Sequence, residues 1–553
     1  MRVPARVTLA ALLAGAAFSQ TGTQPAFEVA DIHPSPKIAA NVARGPFTSA
    51  ARYELRNASL VDFIAKAYGV DNDKVVGGPS WIEYDRFDLR AKMPPGTNFD
   101  TAKLMLQALL ADRFKLVARK ETQEMPAFAL TVGKGKPKLK ETEGSSDNGC
   151  RFGLQGMPGP AVEGGPAQAP AAPMLNVTCR NMTMAAFAEN LRTMPGSAEF
   201  LKTSPVLDKT ELTGAYDFEF KMSLGGLIII NGASPPASQN VTVADALDKQ
   251  LGLKLDPVKV PLPVVVVESA NQPTPNSADV ASKFPAPPLE FDVADVKPTS
   301  PDNNGRMGMQ IQPGGRVNLT GLPVKLLIQQ AWSINNDAIV GAPKWMDTDR
   351  YDIIARAPAG SVATGPANGP GATGPADVDT IWAMMRTLLA ERFKLVTHME
   401  DRPATAYTLV AVKPKLKKAD PASRTKWTNA QADARASTSG PSRTVVFQNM
   451  TMAQFAKELQ YLAGNYFRSP VLDQTGLEGG YDFTLTFSPI NPAQLALAAS
   501  RGGDAGGLGA SEPTGGVTIF EAVEKQLGLK LEETKRTAPF LIIDHVEQKP
   551  VEN

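Results

Sequence analysis

The chain repeats itself. Phe27-Glu-Val-Ala-Asp-Ile-His-Pro34 returns as Phe291-Asp-Val-Ala-Asp-Val-Lys-Pro298. Trp81 and Asp85-Arg-Phe-Asp88 return as Trp345 and Asp349-Arg-Tyr-Asp352. Arg113-Phe-Lys-Leu-Val117 returns as Arg392-Phe-Lys-Leu-Val396, and Asn181-Met-Thr-Met184 as Asn449-Met-Thr-Met452. Ser204-Pro-Val-Leu-Asp208 matches Ser469-Pro-Val-Leu-Asp473, and Gln250-Leu-Gly-Leu-Lys-Leu255 matches Gln526-Leu-Gly-Leu-Lys-Leu531. Blocks matched in one order mean one architecture built twice.

The spacing between matched blocks changes where Gly, Ala, Pro, Thr and Ser accumulate, at 358–377 and 489–516. Residues 141–174 and 418–441 separate the halves of each copy, and the Pro-rich stretch 270–290 joins the copies. These segments lack periodicity and are expected to be flexible loops and linkers. A weaker repeat lies inside each copy. Arg56-Asn-Ala-Ser-Leu60 resembles Arg180-Asn-Met-Thr-Met184, and Phe114-Lys-Leu116 resembles Leu253-Lys-Leu255. The expected organisation is four related half-units at 27–140, 175–269, 291–418 and 442–547, each of about 100 residues. Each half-unit reads strand, helix, strand, helix, strand, strand.

The clearest helix is 517–527. Ile519, Ala522, Val523, Gln526 and Leu527 share one face, in which only Gln526 is polar. Thr518 with Glu521 forms a capping box, Thr242 with Asp245 repeats it, and Gly528 and Gly252 supply the stop. A helix with one apolar face needs a sheet to cover it. The fold class is therefore α+β: two tandem repeats, with helices on small mixed or antiparallel sheets.

Residues 1–19 read as a secretory signal peptide. Arg2 and Arg6 precede an apolar run, and Ala17 and Ser19 stand where a signal peptidase needs small side chains. The alternative, an N-terminal anchor, needs a longer apolar run to cross a bilayer. The runs 224–230 and 262–267 have strand length, so no transmembrane span is expected after cleavage. The expected location is periplasmic or secreted. In an oxidising compartment Cys150 and Cys179 pair as a disulfide, with Cα atoms about 4.4–6.8 Å apart. The alternative is two free buried thiols.

The 553-residue chain carries a formal net charge of +1, which excludes the strongly basic footprint of a nucleic-acid binder. Its 3 His are not shared between copies: His33 aligns with Lys297, His398 with Arg119 and His545 with Ser269. No His-x-x-x-His helix, nucleophile elbow or P-loop is written in the chain, so no metal and no cofactor is expected. The charges present in both copies are Asp85/Asp349, Arg86/Arg350, Asp88/Asp352, Asp112/Glu391, Arg113/Arg392, Asp208/Asp473 and Asp217/Asp482. Paired carboxylates suit acid/base work. The same residues suit structure. Asp85, Arg86 and Asp88 enter a strand, Arg113 faces a helix dipole, and Asp208 and Asp473 sit in turns. Asp85 and Asp349 are expected to meet Arg or backbone N–H groups. Asn57, Asn181 and Asn449 begin Asn-x-Ser/Thr triplets whose Ser59, Thr183 and Thr451 read as helix N-caps. Trp81 and Trp345 follow Gly-Gly-Pro and Gly-Ala-Pro and are expected to anchor those turns in the core.

The blocks at 27–34, 109–116, 181–188 and 216–218 resemble the hallmarks of an uncharacterised family of exported proteins abundant in soil bacteria, especially acidobacteria. The usual members of that family carry one copy, so this chain resembles a tandem of two. Domains similar to these look attached to membrane metallopeptidases of the antibiotic-sensor type. The resemblance implies no catalytic residue. Function is expected to be that of a non-catalytic extracytoplasmic module binding a protein, peptide or envelope ligand. The alternatives are a carboxylate-dependent hydrolase and a sensor or inhibitor partner of a membrane peptidase.

Overall fold

The computed structural model describes residues 25–551 apart from several loops, the longest being 156–173, 224–240, 363–377, 431–442 and 489–516. The leader expected at 1–19 and the apolar run 224–230 lie outside the described residues.

Four half-units follow one another with one order of elements. The first has β1 Val29–Pro34, β2 Arg44–Ser49, β3 Arg52–Ser59, α1 Leu60–Tyr68, β4 Val75–Gly77, β5 Arg86–Lys92, α2 Phe99–Arg113 and β6 Val117–Val132. The second has β7 Lys140–Glu141, β8 Gly149–Gln155, β9 Met174–Thr183, α3 Met184–Leu191, β10 Val206–Asp208, β11 Ala215–Ser223, α4 starting at Val243–Ala246, and β12 Leu253–Ser269. The third has β13 Val293–Pro298, β14 Gly308–Ile311, β15 Arg316–Pro323, α5 Val324–Trp332, β16 Ile339–Val340, β17 Arg350–Arg356, α6 Val378–Arg392 and β18 Val396–Ala411. The fourth has β19 Lys417–Lys418, β20 Lys426–Ala430, β21 Arg443–Met450, α7 Met452–Leu462, β22 Leu472–Asp473, β23 Tyr481–Phe487, α8 starting at Ile519–Ala522, and β24 Leu529–His545. Three strands, not one, precede the first helix of each unit. The extra strands lie at the sheet edges, and two of them, β7 and β19, are too brief to write an alternating pattern.

Each unit closes an antiparallel four-stranded sheet, in the orders β1-β5-β3-β2, β7-β11-β9-β8, β13-β17-β15-β14 and β19-β23-β21-β20. The last strands of paired units form a long antiparallel ribbon, β6 with β12 and β18 with β24. Short parallel strands then cross over. β4 joins β12 and β10 joins β6, with β16 on β24 and β22 on β18 in the second copy. Each half thus lends its short strand to the other half's long one, which ties the two halves of a copy together. The class is α+β and the two-copy architecture is present as expected.

The helices cover these sheets because their apolar faces are continuous. Phe63, Phe114, Phe187, Phe393 and Phe455 are fully buried beneath them, each worth roughly 2–3 kcal/mol of transfer free energy. Ser59, Thr183 and Thr451 do cap α1, α3 and α7, with full capping boxes at Ser59 and Thr451. Trp81 and Trp345 are half-buried against the cores, edge-on to Phe87 and Tyr351. The preceding Gly77 and Gly341 have φ of 72° and 82°, and a Cβ on either would strike the backbone oxygen of Val267 or Ile543.

Three expectations are corrected. The helix at 517–527 keeps its Thr518–Glu521 capping box but is α only over Ile519–Ala522, then π over Val523–Leu527; α4 continues likewise as π over Leu247–Leu251. The widened turn aims Gln526 at β23, where it accepts from Thr486 N at 2.9 Å and donates to Thr486 O at 2.7 Å. Gln250 does the same at Lys221. A polar residue on the apolar face acts as a piece of strand. Second, the junction after each second helix is left-handed at Lys115, Gly252, Lys394 and Gly528, with φ of 49°, 71°, 49° and 67°. Aligning these makes Leu116, not Phe114, the counterpart of Leu253. Third, the linker at 270–290 is not a loose tether where it is described. Asn276 accepts from Ile32 N and donates to Ile32 O, and Val280 and Phe284 are buried.

The copies also touch. Tyr84 of the first joins the core beneath α7 in the second, and Arg424 donates to Gly77 O at 2.6 Å. No helix among the described residues is long and apolar enough to cross a membrane.

Candidate functional site

The strand before each first helix carries a β-bulge, and the shared charges converge there. Asn57, Asn181, Gly321 and Asn449 are left-handed, with φ of 50°, 47°, 67° and 46°. Each donates its backbone N–H to an aspartate on the neighbouring strand. Asn57 meets Asp88, Asn181 meets Asp217 and Gly321 meets Asp352, all at 2.8 Å, and Asn449 meets Asp482 at 2.9 Å. A bulge leaves an extra residue out of the ladder, so its N–H needs another acceptor. Arg86 and Arg350 complete the clamp by donating to the bulge carbonyls of Asn57 and Gly321 at 3.2 and 2.9 Å. Arg86 also pairs with Asp62 at 2.9 Å.

Most of the other shared charges are also committed, whereas Asp112 pairs with Lys115 at 3.6 Å on the surface and Glu391 lines a cavity. Among the described residues Asp85 and Asp349 meet neither Arg nor backbone N–H, though Asp349 also accepts from the Thr348 hydroxyl at 3.0 Å. They accept from the side-chain amides of Gln272 and Gln548, at 2.7 and 2.6 Å, in the segments that follow β12 and β24. Arg113 reaches past the helix end to Thr274 O and Asn276, and Arg392 to Ala294 O and Val551 O. These arginines pin the strap that closes each copy. Asp208 and Asp473 accept from the N–H and hydroxyl of Thr210 and Thr475, as turn residues do.

Sequence reasoning missed a second set of polar groups, at the contact of the copies. Glu458 is 3% exposed and accepts from Tyr84 Oη at 3.0 Å and Trp427 Nε1 at 3.1 Å. Burial, then the neighbouring Glu458 carboxylate, pushes the Tyr84 phenol well above its usual range. Glu54, 2% exposed, lies among Arg52, Arg56 and Arg90. Arg56 continues to Asp379 of the second copy at 2.8 Å, joined there by Arg44 at 2.7 Å. Burial raises the Asp379 pKa, but the hydrogen bonds and charges of Arg44 and Arg56 outweigh it and hold the carboxyl below the ordinary range. A search for residues common to both copies cannot find these groups, since Asn190 stands in the place of Glu458. The signal is the reverse: a matched position that changes character between copies.

Cys150 and Cys179 are disulfide-bonded, directly opposite on β8 and β9. Their Cα atoms are 4.0 Å apart, closer than the expected separation, because facing positions of an antiparallel pair approach closely. His33 lies 3.5 Å from Asp31, and His398 lies 2.8 Å from Asp544. In the other copy Lys297 and Arg119 stand in place of the two histidines, and the same pairings recur as Lys297 with Asp295 at 3.4 Å and Arg119 with Glu268 at 3.1 Å. An open cavity of about 330 Å³ is lined by residues of the β13 approach and α6, including Asp292, Glu391 and Arg392. Asp85, Asp88, Asp349 and Asp352 do not line it. Among the described residues no His, Cys, Asp and Glu gather in a group able to hold a metal ion.

Two segments, residues 61–270 and 325–546, match a family described as a protein of unknown function (DUF3738). Both segments begin at the second residue of a copy's first helix and end just after its long ribbon. Neither the curated proteins nor the solved structures hold a match.

Proposed function

Since the chain belongs to the DUF3738 family of proteins of unknown function and carries its domain twice, we propose from its geometry that it is a non-catalytic interaction module acting outside the cytoplasm. One observation carries this reading. Apart from Asp112 and Glu391, the carboxylates that both copies share are held by bulge N–H groups, turn hydroxyls and strap amides, at separate places in each copy. A general acid or nucleophile needs a partner-poor carboxyl facing a cleft. These carboxyls instead stabilise the backbone that presents the sheets. Export is supported by the leader pattern at 1–19 and by the disulfide, a bond favoured in oxidising compartments. The proposed ligand is a protein, a peptide or another envelope component.

The test compares the wild-type chain with the Asp85→Asn/Asp349→Asn variant on peptide, ester and glycoside substrates, and in cross-linking to envelope fractions. The expected result is no turnover by either chain and the same cross-linked partner for both. Turnover by the wild type that the variant loses overturns the module reading in favour of a hydrolase.

A further inference from the structure

The two long ribbons share a fold but treat their outer edges differently. In β12 the prolines stand at Pro257, Pro261 and Pro263. Phe128, opposite Pro257, turns its N–H away from the ribbon to Pro205 O. Residues facing each other across an antiparallel pair share this orientation. The β12 prolines therefore occupy positions whose N–H would point outward, and they close that edge to further pairing. In β24 the matching orientation follows from Leu409, whose carbonyl turns outward to Gln474 N and which faces Leu531. Every second residue from there, Glu533, Lys535 and Thr537, directs its N–H and C=O away from β18. None of them is proline, and Pro539 ends the stretch. All three residues are exposed, and among the described residues no backbone group covers this edge. The open side of β18 differs, since it carries Pro403 at an outward position.

We infer that the β24 edge is an interface for a second copy of this chain, pairing antiparallel about Thr534. The charge order selects that occupant. The segment reads Glu532-Glu533-Thr534-Lys535-Arg536, so self-pairing about Thr534 places Glu533 opposite Lys535 and Glu532 opposite Arg536 on both sides of the axis. Glu533, Lys535 and Arg536 have no ion-pair partner among the described residues; Glu532 meets only Lys530. The same register satisfies the backbone. Glu533 and Lys535 are both outward-facing, so they form hydrogen-bonded pairs across the axis, whereas Thr534 faces its own copy in a non-bonded pair. The product is one sheet running β18-β24-β24-β18 through two chains. An edge of this length is at the small end of protein interfaces, so association at roughly micromolar concentration is expected.

Sedimentation of the whole chain from about 1 to 100 µM tests this. The expected result is a monomer–dimer equilibrium that weakens with added salt. The Glu533→Pro/Thr537→Pro variant gives β24 the edge of β12 and should remain monomeric, with its circular dichroism unchanged. Lys535→Glu/Arg536→Glu should also be monomeric, and adding Glu532→Lys/Glu533→Lys should restore the dimer; these charge variants decide the matter if the prolines impair folding. A wild-type chain that stays monomeric throughout overturns the proposal. So does a dimer that survives both the prolines and the charge reversal.

Discussion

The second and fourth half-units build the same sheet and fasten it by different means. In one, Cys150 and Cys179 face each other across β8 and β9 and are covalently joined. In the other, the corresponding positions are Trp427 and Phe447, facing each other across β20 and β21. Phe447 stacks on Phe483, with ring centroids 4.6 Å apart, and Trp427 donates to the buried Glu458. The fold therefore needs a strong cross-strand pair at this place but not one particular chemistry. The aromatic solution does something the disulfide does not. Through Glu458 it reaches Tyr84 of the first copy, while the matched Asn190 is exposed. A local fastening in one copy has become a contact between copies in the other.

The comparison is most directly broken at the disulfide. Cys150→Ala/Cys179→Ala opens a loop of sequence separation 29 and should cost about 3 kcal/mol. Hydrogen exchange should show lost protection in β8 and β9 and none in β20 and β21; equal loss in both would mean that the sheets are not independent fastenings. Glu458→Ala leaves Tyr84 Oη and Trp427 Nε1 without their acceptor and should cost about 2–3 kcal/mol in urea unfolding. Tyr84→Phe should cost about 1 kcal/mol, and a double-mutant cycle should show the two coupled. Additive effects would remove Glu458 as the link between copies. Aspartate-to-alanine changes at Asp88, Asp217, Asp352 and Asp482 should each cost about 1–2 kcal/mol, because each orphans a bulge N–H. A position that costs nothing would show that its bulge is held otherwise.

The smallest effect concerns acid. The folded-state pKa of Asp379 is lowered, so its contribution is complete above about pH 4 and is lost as the pH falls through its folded value. Asp379→Asn should mimic that loss at neutral pH and flatten the acid limb of a stability profile. Because Asp379 is 40% exposed, screening by water and salt keeps the change modest.

Much of this was legible along the chain. Ser59, Thr183, Thr451 and Thr518 mark helix starts because a cap acts within three residues of itself. Asp208 and Asp473 declare their turns for the same reason. The blocks around Asp85-Arg86-x-Asp88 marked positions that both copies need, but not the reason for the need. The reason is a bulge some thirty residues earlier, visible only once β5 lies beside β3. Gln526 looked like a flaw in an apolar face until the π-turn aimed it at Thr486.

Sequence alone therefore settled the number of copies and the α+β class, and named the one disulfide the chain could form. Those features rest on repeated blocks, on short-range hydrogen bonds and on a single available thiol partner. Tertiary structure alone decided the exchange of β4 and β10 between halves, the partners of Asp85 and Asp349, and the burial of Glu458 against Tyr84. Each of these joins groups far apart in the chain. Backbone pairing has no side-chain signature at such distances, and a buried carboxylate is written with the same letter as a solvated one. What separates them is the set of donors that folding brings within about 3 Å.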